Sequence, residues 1–349
     1  MAGYNSNGTF TAGTCVELLR DLTDIDGNFA SPFLQRSPLG GIEFLMSSLN
    51  TEGTEIIPVQ QGDKRKTVRI KYRNRTIESQ IREDDNALCT IDDYPDYNDT
   101  LFDVTKKVTH TFGLNEDEVA LLCEGQGQFI ADTLAGEFDA FARKINREYL
   151  ETQNLNFGIN VATGSTASQS VGVFDATTGA PNARALQILL NDYSFSNEAS
   201  GRPHIIAGRR IGDFLTTIAN GCCNDGGVNI LDFANSLGAF RWNDVMIDSV
   251  LPADGQFAVM QAGRTQFVPV TKYVGERTSQ QATFSRGTIT DPRTGITYNL
   301  KVEFDTCDEV WAVTISLDYD FWFQPDDAFQ VDDPLHGVNG TWNYTAVTT

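Results

Sequence analysis

Apolar and polar positions alternate most regularly near the carboxyl end of the chain. There Val313, Ile315, Leu317, Tyr319, Phe321 and Phe323 fall on one side of a period of two, and Thr314, Ser316, Asp318, Asp320 and Trp322 fall on the other. That spacing predicts a long strand with one face in a core and one face toward water. Upstream, TFSRGTI and ITYNLKVEF flank DPRTG, whose Pro and Gly predict the turn of a hairpin. DVMID and GQFAVMQAG read as further strands, so the carboxyl third is β-rich.

A period of three and four governs the middle of the chain. Val119, Leu122, Phe129, Ile130, Thr133, Leu134, Phe138, Phe141, Ile145 and Tyr149 form one stripe, which predicts a helix from Asn115 to about Gln153. Asn115 and Glu118 supply a capping box. Glu116 and Asp117 lie at the positive end, and Arg143, Lys144 and Arg147 fall toward the negative end, as the macrodipole favours. Such a helix spans roughly 50 Å, with a kink expected near Gly125 and Gly127. After the polar connection ATGSTASQSVG come a second helix in ARALQILLNDY, a short strand in PHIIAG and a third helix around Gly212 to Ala219. The first fifty residues read as an arm: Thr14 and Glu17 mark one short helix, and SPFLQRSPLGG then breaks any regular pattern.

Between arm and helix, charge changes the picture. From Thr67 the chain alternates again, with Val68, Ile70 and Tyr72 on one face and Arg69, Lys71 and Arg73 on the other. Seven of the twenty-six basic residues lie between Lys64 and Arg75: Lys64, Arg65, Lys66, Arg69, Lys71, Arg73 and Arg75. From Glu78 to Asp103 there follow nine acids, Asp84, Asp85, Asp92 and Asp93 among them, against the single Arg82. The simplest element is a β-excursion with a basic edge and an acidic return. Two arrangements fit it: a hairpin that pairs its own charges across the strands, or a ribbon laid over a neighbouring copy of the chain. Each exposed ion pair contributes only about 0.2–1 kcal/mol, so the second arrangement works through repetition and register.

The formal net charge of −21 argues against nucleic-acid binding by the surface as a whole, since phosphate neutralisation needs clustered cations. After Lys301 there is no Lys or Arg, while ten acids remain. No apolar run reaches the ~20 residues of a membrane helix, and MAGYNSNGTF has neither the basic nor the apolar region of a secretory signal. The Asn-x-Thr triplets at Asn7, Asn74, Asn98, Asn339 and Asn343 are therefore read as chance, in a chain expected to be made in the cytosol and to stay there.

Catalytic and metal-binding patterns are sparse. Gly125-Gln126-Gly127 lacks the third glycine of a dinucleotide loop; neither a phosphate-binding Gly-x-x-x-x-Gly-Lys loop nor a Gly-x-Ser-x-Gly elbow occurs. Cys15, Cys89, Cys123, Cys222, Cys223 and Cys307 show no C-x-x-C spacing and there are three histidines, His110, His204 and His336, so no zinc site is expected and the thiols are read as reduced. The adjacent Cys222 and Cys223, with Asn224 and Asp225 on a Gly- and Asn-rich loop, are the one place where an inter-subunit disulfide would fit. The acid pairs Asp326-Asp327 and Asp332-Asp333 read as solvated loops, and His204, between Pro203 and Ile205, as a structural histidine.

The order of these elements resembles the major capsid protein of tailed bacteriophages, of the Hong Kong 97 type. Met1 to Asn50 resembles that family's amino-terminal arm, Thr51 to His110 its extended two-stranded loop, and Asn115 to about Gln153 its spine helix. RPHIIAGRRIGDFL resembles the family's strand-then-helix entry, NDVMIDSVLPADGQFAVMQAGRTQF its strand, Leu-Pro, Gly, strand segment, and VWAVTISLDYDFWFQPDDAF its closing strand. The match spans about 300 residues and rests on order, because each motif is degenerate. No charged helical extension precedes the arm, which implies a separate scaffold or one already removed, and the covalent Lys-to-Asn cross-link of some relatives has no assignable residues here.

The resemblance implies an α+β fold with an arm (1–50), an extended β-hairpin loop (51–110), a peripheral domain carrying the spine (111–181), an axial domain (182–318) and a return to the peripheral domain (319–349). It implies a non-enzymatic subunit, without cofactor or metal, that assembles into pentamers and hexamers of an icosahedral shell. The shell would enclose double-stranded DNA without reading its sequence, and the subunit would reside in the virion after assembly in the host cytoplasm. Portal and scaffolding proteins, and a decoration protein, would be its partners. Lys64 to Arg75 would contact acids of a neighbour such as Asp84, Asp85, Asp92 and Asp93, and the loop of Cys222 to Asp225 would approach the capsomer axis. Rival readings are an encapsulin-like compartment for protein cargo, a tail or baseplate component, and a carbohydrate hydrolase with paired acids.

Overall fold

The structure, a computed structural model, describes residues 37–48, 54–58, 66–73, 97–114, 126–197, 199, 201–220, 239–272, 277–278, 284–305, 310–324 and 340–349. Helix α1, Gly40–Ser48, is followed by strands β1 (Thr54–Pro58), β2 (Thr67–Arg73), β3 (Tyr97–Asp103) and β4 (Lys106–Leu114), then by helix α2 (Gln126–Leu155) and β5 (Gln169–Phe174). Helix α3 (Ala183–Asn191) runs into a π-helical turn at Asp192–Ser196; β6 (His204–Ala207), α4 (Arg209–Asn220), β7 (Phe240–Asn243) and the single-turn α5 (Ile247–Val250) come next. The remaining strands are β8 (Gln256–Met260), β9 (Thr265–Val270), β10 (Arg277–Thr278), β11 (Phe284–Thr290), β12 (Thr297–Asp305), β13 (Val310–Phe323) and β14 (Thr341–Thr348). Helices and mostly antiparallel strands are mixed along the chain, an α+β fold.

The described strands form three sheets. β1-β2-β3 is a separate antiparallel sheet; β10-β11-β12-β13-β4 is the largest, with β9 on the carboxyl half of β13; β5-β14-β8-β6-β7 is the third. The expected hairpin is present: Thr290 faces Thr297, and the DPRTG turn closes through Asp291 N–H to the Ile296 carbonyl (2.9 Å) and Gly295 N–H to the Asp291 carbonyl (2.8 Å). Gly295 sits at φ 72°, where a Cβ is disfavoured.

The apolar stripe of α2 explains how the two large sheets are joined. Leu134, Phe138, Phe141, Ile145 and Tyr149 are buried. Phe138 and Phe141 each stack on Tyr298 of β12 at 5.5 Å, while the Tyr149 ring lies 5.3 Å from Phe321 of β13 and its hydroxyl donates to Met260 Sδ of β8 (3.3 Å). Over its 30 residues the helix is about 45 Å long.

Several sequence expectations are corrected. The helix ends at Leu155, two residues past the expected end; within it Arg143 pairs with Asp139 one turn back (2.7 Å) and Lys144 with Glu148 one turn on (3.0 Å). DVMID is not a strand: the buried Asp244 accepts from Met246 N–H (2.8 Å) and turns the chain into α5, and β7 lies just before it. The same carboxylate accepts from Gly41 N–H and Asn146 Nδ2, both at 2.9 Å, fixing α1 to α2. Residues 40–48, expected as irregular arm, are a helix with Ile42, Phe44 and Leu45 in the main core. A Cβ on Gly41 would come within 2.6 Å of Asn146 Oδ1, so glycine is what lets this helix approach α2. Part of ATGSTASQSVG is strand β5, paired in parallel with β14. The start of the expected spine at 115–125, the short helix at Thr14 and all six cysteines lie outside the described residues.

Candidate inter-subunit interface

The basic alternation begun at Thr67 is strand β2, at the centre of a three-stranded sheet where two strands were expected. Its apolar face is buried: Val68, Ile70 and Tyr72 form a second, smaller core with Val104, Val268 and Trp322, and Phe102 and Val270 pack against it. The sheet therefore lies with this face on the body of its own chain, against β9 and β13. Arg69 and Lys71 alternate with the buried residues, so they stand on the opposite face; Arg69 is exposed and Lys71 half-buried.

Register decides what each cation meets inside the sheet. In register, Lys71 lies between Glu55 of β1 and Asp99 of β3. Arg69 has Ile57 and Leu101 as its register neighbours, and Leu101 is exposed. Arg73 is opposite Tyr97. Thr67 donates to Asp103 Oδ1 across the strands at 2.6 Å.

Lys66 has a different role from the other cations of the run. Its ammonium group is bound to Asp318 of β13, within its own chain, and Lys272 Nζ reaches the second oxygen of that carboxylate at 2.6 Å. Asp318 is 1 % exposed. Burial works to raise its pKa, but hydrogen bonds and charge from Lys272 and Lys66 outweigh burial and hold it below the usual carboxylate range. Lys272 is itself positioned by its backbone N–H, which donates to Asn299 Oδ1 (2.7 Å). Two residues further along β13, Asp320 accepts from the backbone N–H (3.0 Å) and hydroxyl (2.7 Å) of Thr105. One end of the β2–β3 pair is thus held to the body by two buried carboxylates.

Asp318, Asp320, Lys272, Thr105 and Trp322 were not singled out in the sequence. The available signal was a tryptophan on the polar face of the strongest strand, because a Trp at i+4 from Asp318 needs a surface to cover it. Lys64, Arg65, Arg75, Asp84, Asp85, Asp92 and Asp93, with Cys222, Cys223, Asn224 and Asp225, lie outside the described residues, as do Asp326, Asp327, Asp332, Asp333 and His336.

The two described histidines make contacts within the fold. His204 is buried against Phe240 (4.9 Å) and Trp242 (6.0 Å) in stacked geometry, and Trp242 Nε1–H donates to His204 Nδ1 at 2.9 Å. Burial pushes its pKa down to about 4. His110, exposed on β4, bonds Glu137 of α2 at 2.7 Å. Among the described residues no group of three His, Cys, Asp or Glu could hold a metal ion, and no helix is long and apolar enough to cross a membrane.

No protein-family model matches the chain, and no curated protein matches it. Solved structures similar to it are phage capsid structures. The capsid asymmetric unit of cyanophage A-1(L) has 13 % identity, covers 94 % of this chain and 98 % of its own, and gives a TM-score of 0.47. The mature capsid asymmetric unit of bacteriophage PhiM1 has 11 % identity, coverage of 93 % and 91 %, and a TM-score of 0.45. The capsid of cyanophage P-SCSP1u has 8 % identity, coverage of 86 % and 91 %, and a TM-score of 0.42.

Proposed function

We propose that this chain is the shell subunit of a tailed-phage virion, of the Hong Kong 97 type. It would assemble into pentamers and hexamers that close an icosahedral container around double-stranded DNA. Support comes from the sequence, in the order arm, excursion, spine, peripheral and axial segments at the boundaries given above. The one structural observation that carries the reading is the two-sidedness of the β1–β3 sheet. Its apolar face is spent on its own body, and its other face bears Arg69 and Lys71 in a chain of net charge −21. A monomer gains little from keeping cations on the outer face of such a sheet, whereas a subunit beside an acidic copy gains attraction and register.

In this reading Arg69, Lys71 and Arg73, with Lys64, Arg65 and Arg75, grip a neighbour whose partners include Asp84, Asp85, Asp92 and Asp93. Lys66 instead secures the root of the sheet to its own subunit. Helix α2 stiffens the plate by tying the two larger sheets together, and the loop of Cys222, Cys223, Asn224 and Asp225 lies toward the capsomer axis. The subunit has no catalytic role. A negative inner wall lets packaged DNA move without adhering. Assembly takes place in the host cytoplasm with a portal and a scaffolding protein, and a decoration protein can coat the finished shell.

Negative-stain microscopy of the expressed protein, with and without a co-expressed scaffold, tests this. Closed icosahedral particles are expected. Tubes would point to a tail component, particles filled with an enzyme and free of nucleic acid to a cargo compartment, and a monomer under both conditions would contradict the proposal.

A further inference from the structure

Asp318, Asp320 and Trp322 occupy alternate positions of β13, so all three stand on the same face of one strand. Each holds a different point of the β1–β3 sheet. Asp318 takes the Lys66 ammonium, one residue before β2; Asp320 takes Thr105, two residues after β3; Trp322 packs on Tyr72, near the far end of β2, with ring centroids 5.4 Å apart. The other face of β13 rides on α2, where the Tyr319 hydroxyl donates to Glu148 at 2.8 Å and Phe321 lies against Tyr149. One strand therefore couples the β1–β3 sheet to the long helix.

The apolar and polar contacts at this junction do different work. Contacts of Val68, Ile70 and Tyr72 with Val268 and Trp322 are non-directional and would hold the sheet at a range of angles. Hydrogen bonds to a carboxylate are directional. Removing either carboxylate would leave its partners without their bond, so these contacts both hold the junction shut and fix its geometry.

We propose that Asp318 and Asp320 form a clasp that fixes the direction in which the β1–β3 sheet leaves the body, so that its Arg69-bearing face is pre-aimed at a second copy of the chain. Pre-aiming matters because ordering a loose sheet at the moment of contact costs binding free energy. The identity of the partner rests on the shell reading, whereas the clasp does not.

Hydrogen exchange read by mass spectrometry on the full, unassembled chain tests the clasp, comparing wild type with Asp318→Asn, Asp320→Asn and the double variant; particle yield is measured on the same samples. In the double variant the amides of β2, β3 and the Val104-Thr105 junction should exchange at least about tenfold faster, with β11 and β12 unchanged, and particle yield should fall. Unchanged exchange in β2 and β3 overturns the proposal. So does an equal rise in β12, which would mean ordinary loss of stability, and so does a loosened sheet that still assembles like wild type. If the wild type forms no particles, the shell reading fails while exchange still decides the clasp. Should Asp318→Asn fail to fold, Lys66→Met removes the same bond from the other side, and the same pattern is expected.

Discussion

Asp318 and His204 show how a buried titratable side chain in this protein takes its state from its neighbours. Asp318 stays ionised because two ammonium groups meet it, so its contribution is present above the ordinary carboxylate range and is lost as pH falls through its lowered pKa. His204 stays neutral because aromatic rings surround it and Trp242 already donates to Nδ1. Its pKa is lowered in the fold, so the unfolded chain binds a proton first, and stability falls as pH drops from about 6.5 toward 4. Calorimetric melting of the unassembled chain across that interval should show the decline. His204→Gln, which keeps an acceptor for Trp242 but does not titrate, should flatten it, and an unchanged slope would mean that His204 is not the group responsible.

At the scale of elements, α2 and β13 carry most of the architecture. Phe138 and Phe141 clasp Tyr298 from one side of the helix, and Phe138→Ala should lower stability to urea by about 3–5 kcal/mol, because the sheet beneath cannot collapse into the space left. A loss below about 1 kcal/mol would show that this stack is not part of a tight core. Both elements were legible from spacing alone: the buried positions of α2 and the inward row of β13 are those the periods of 3.6 and 2 pick out. What could not be read was the second face of β13. Alternation assigns Asp318 and Asp320 to water, but Lys272 and the root of the distant β1–β3 sheet meet them, Lys66 from about 250 positions away. Helix α1 was missed for a related reason. Its two glycines read as a breaker, yet in place they are what permits close approach to Asn146 and to the Trp242 and Asn243 carbonyls. DVMID was misread because one side chain, Asp244, captures the backbone two residues on.

For the whole molecule, an overall charge of −21 coexists with a sheet whose outer face carries Arg69 and Lys71. The charge pattern of the proposed contact was legible in the sequence, but the binding of Lys66 within its own chain was not. Lys66 is bound to Asp318 of its own chain, whereas Arg69 and Lys71 lie on the face of β2 opposite the buried residues. Assembly through such a face should weaken as salt rises, since exposed charges are screened over about 8 Å at physiological ionic strength. Sedimentation velocity of wild type beside the Arg69→Glu, Lys71→Glu, Arg73→Glu variant, at low salt and with far-ultraviolet circular dichroism to show that both chains are folded, is the most direct measurement. We expect fast-sedimenting closed particles from wild type and only folded, slow-sedimenting subunits from the variant; particles of wild-type size from the variant would contradict the charge grip between neighbouring copies.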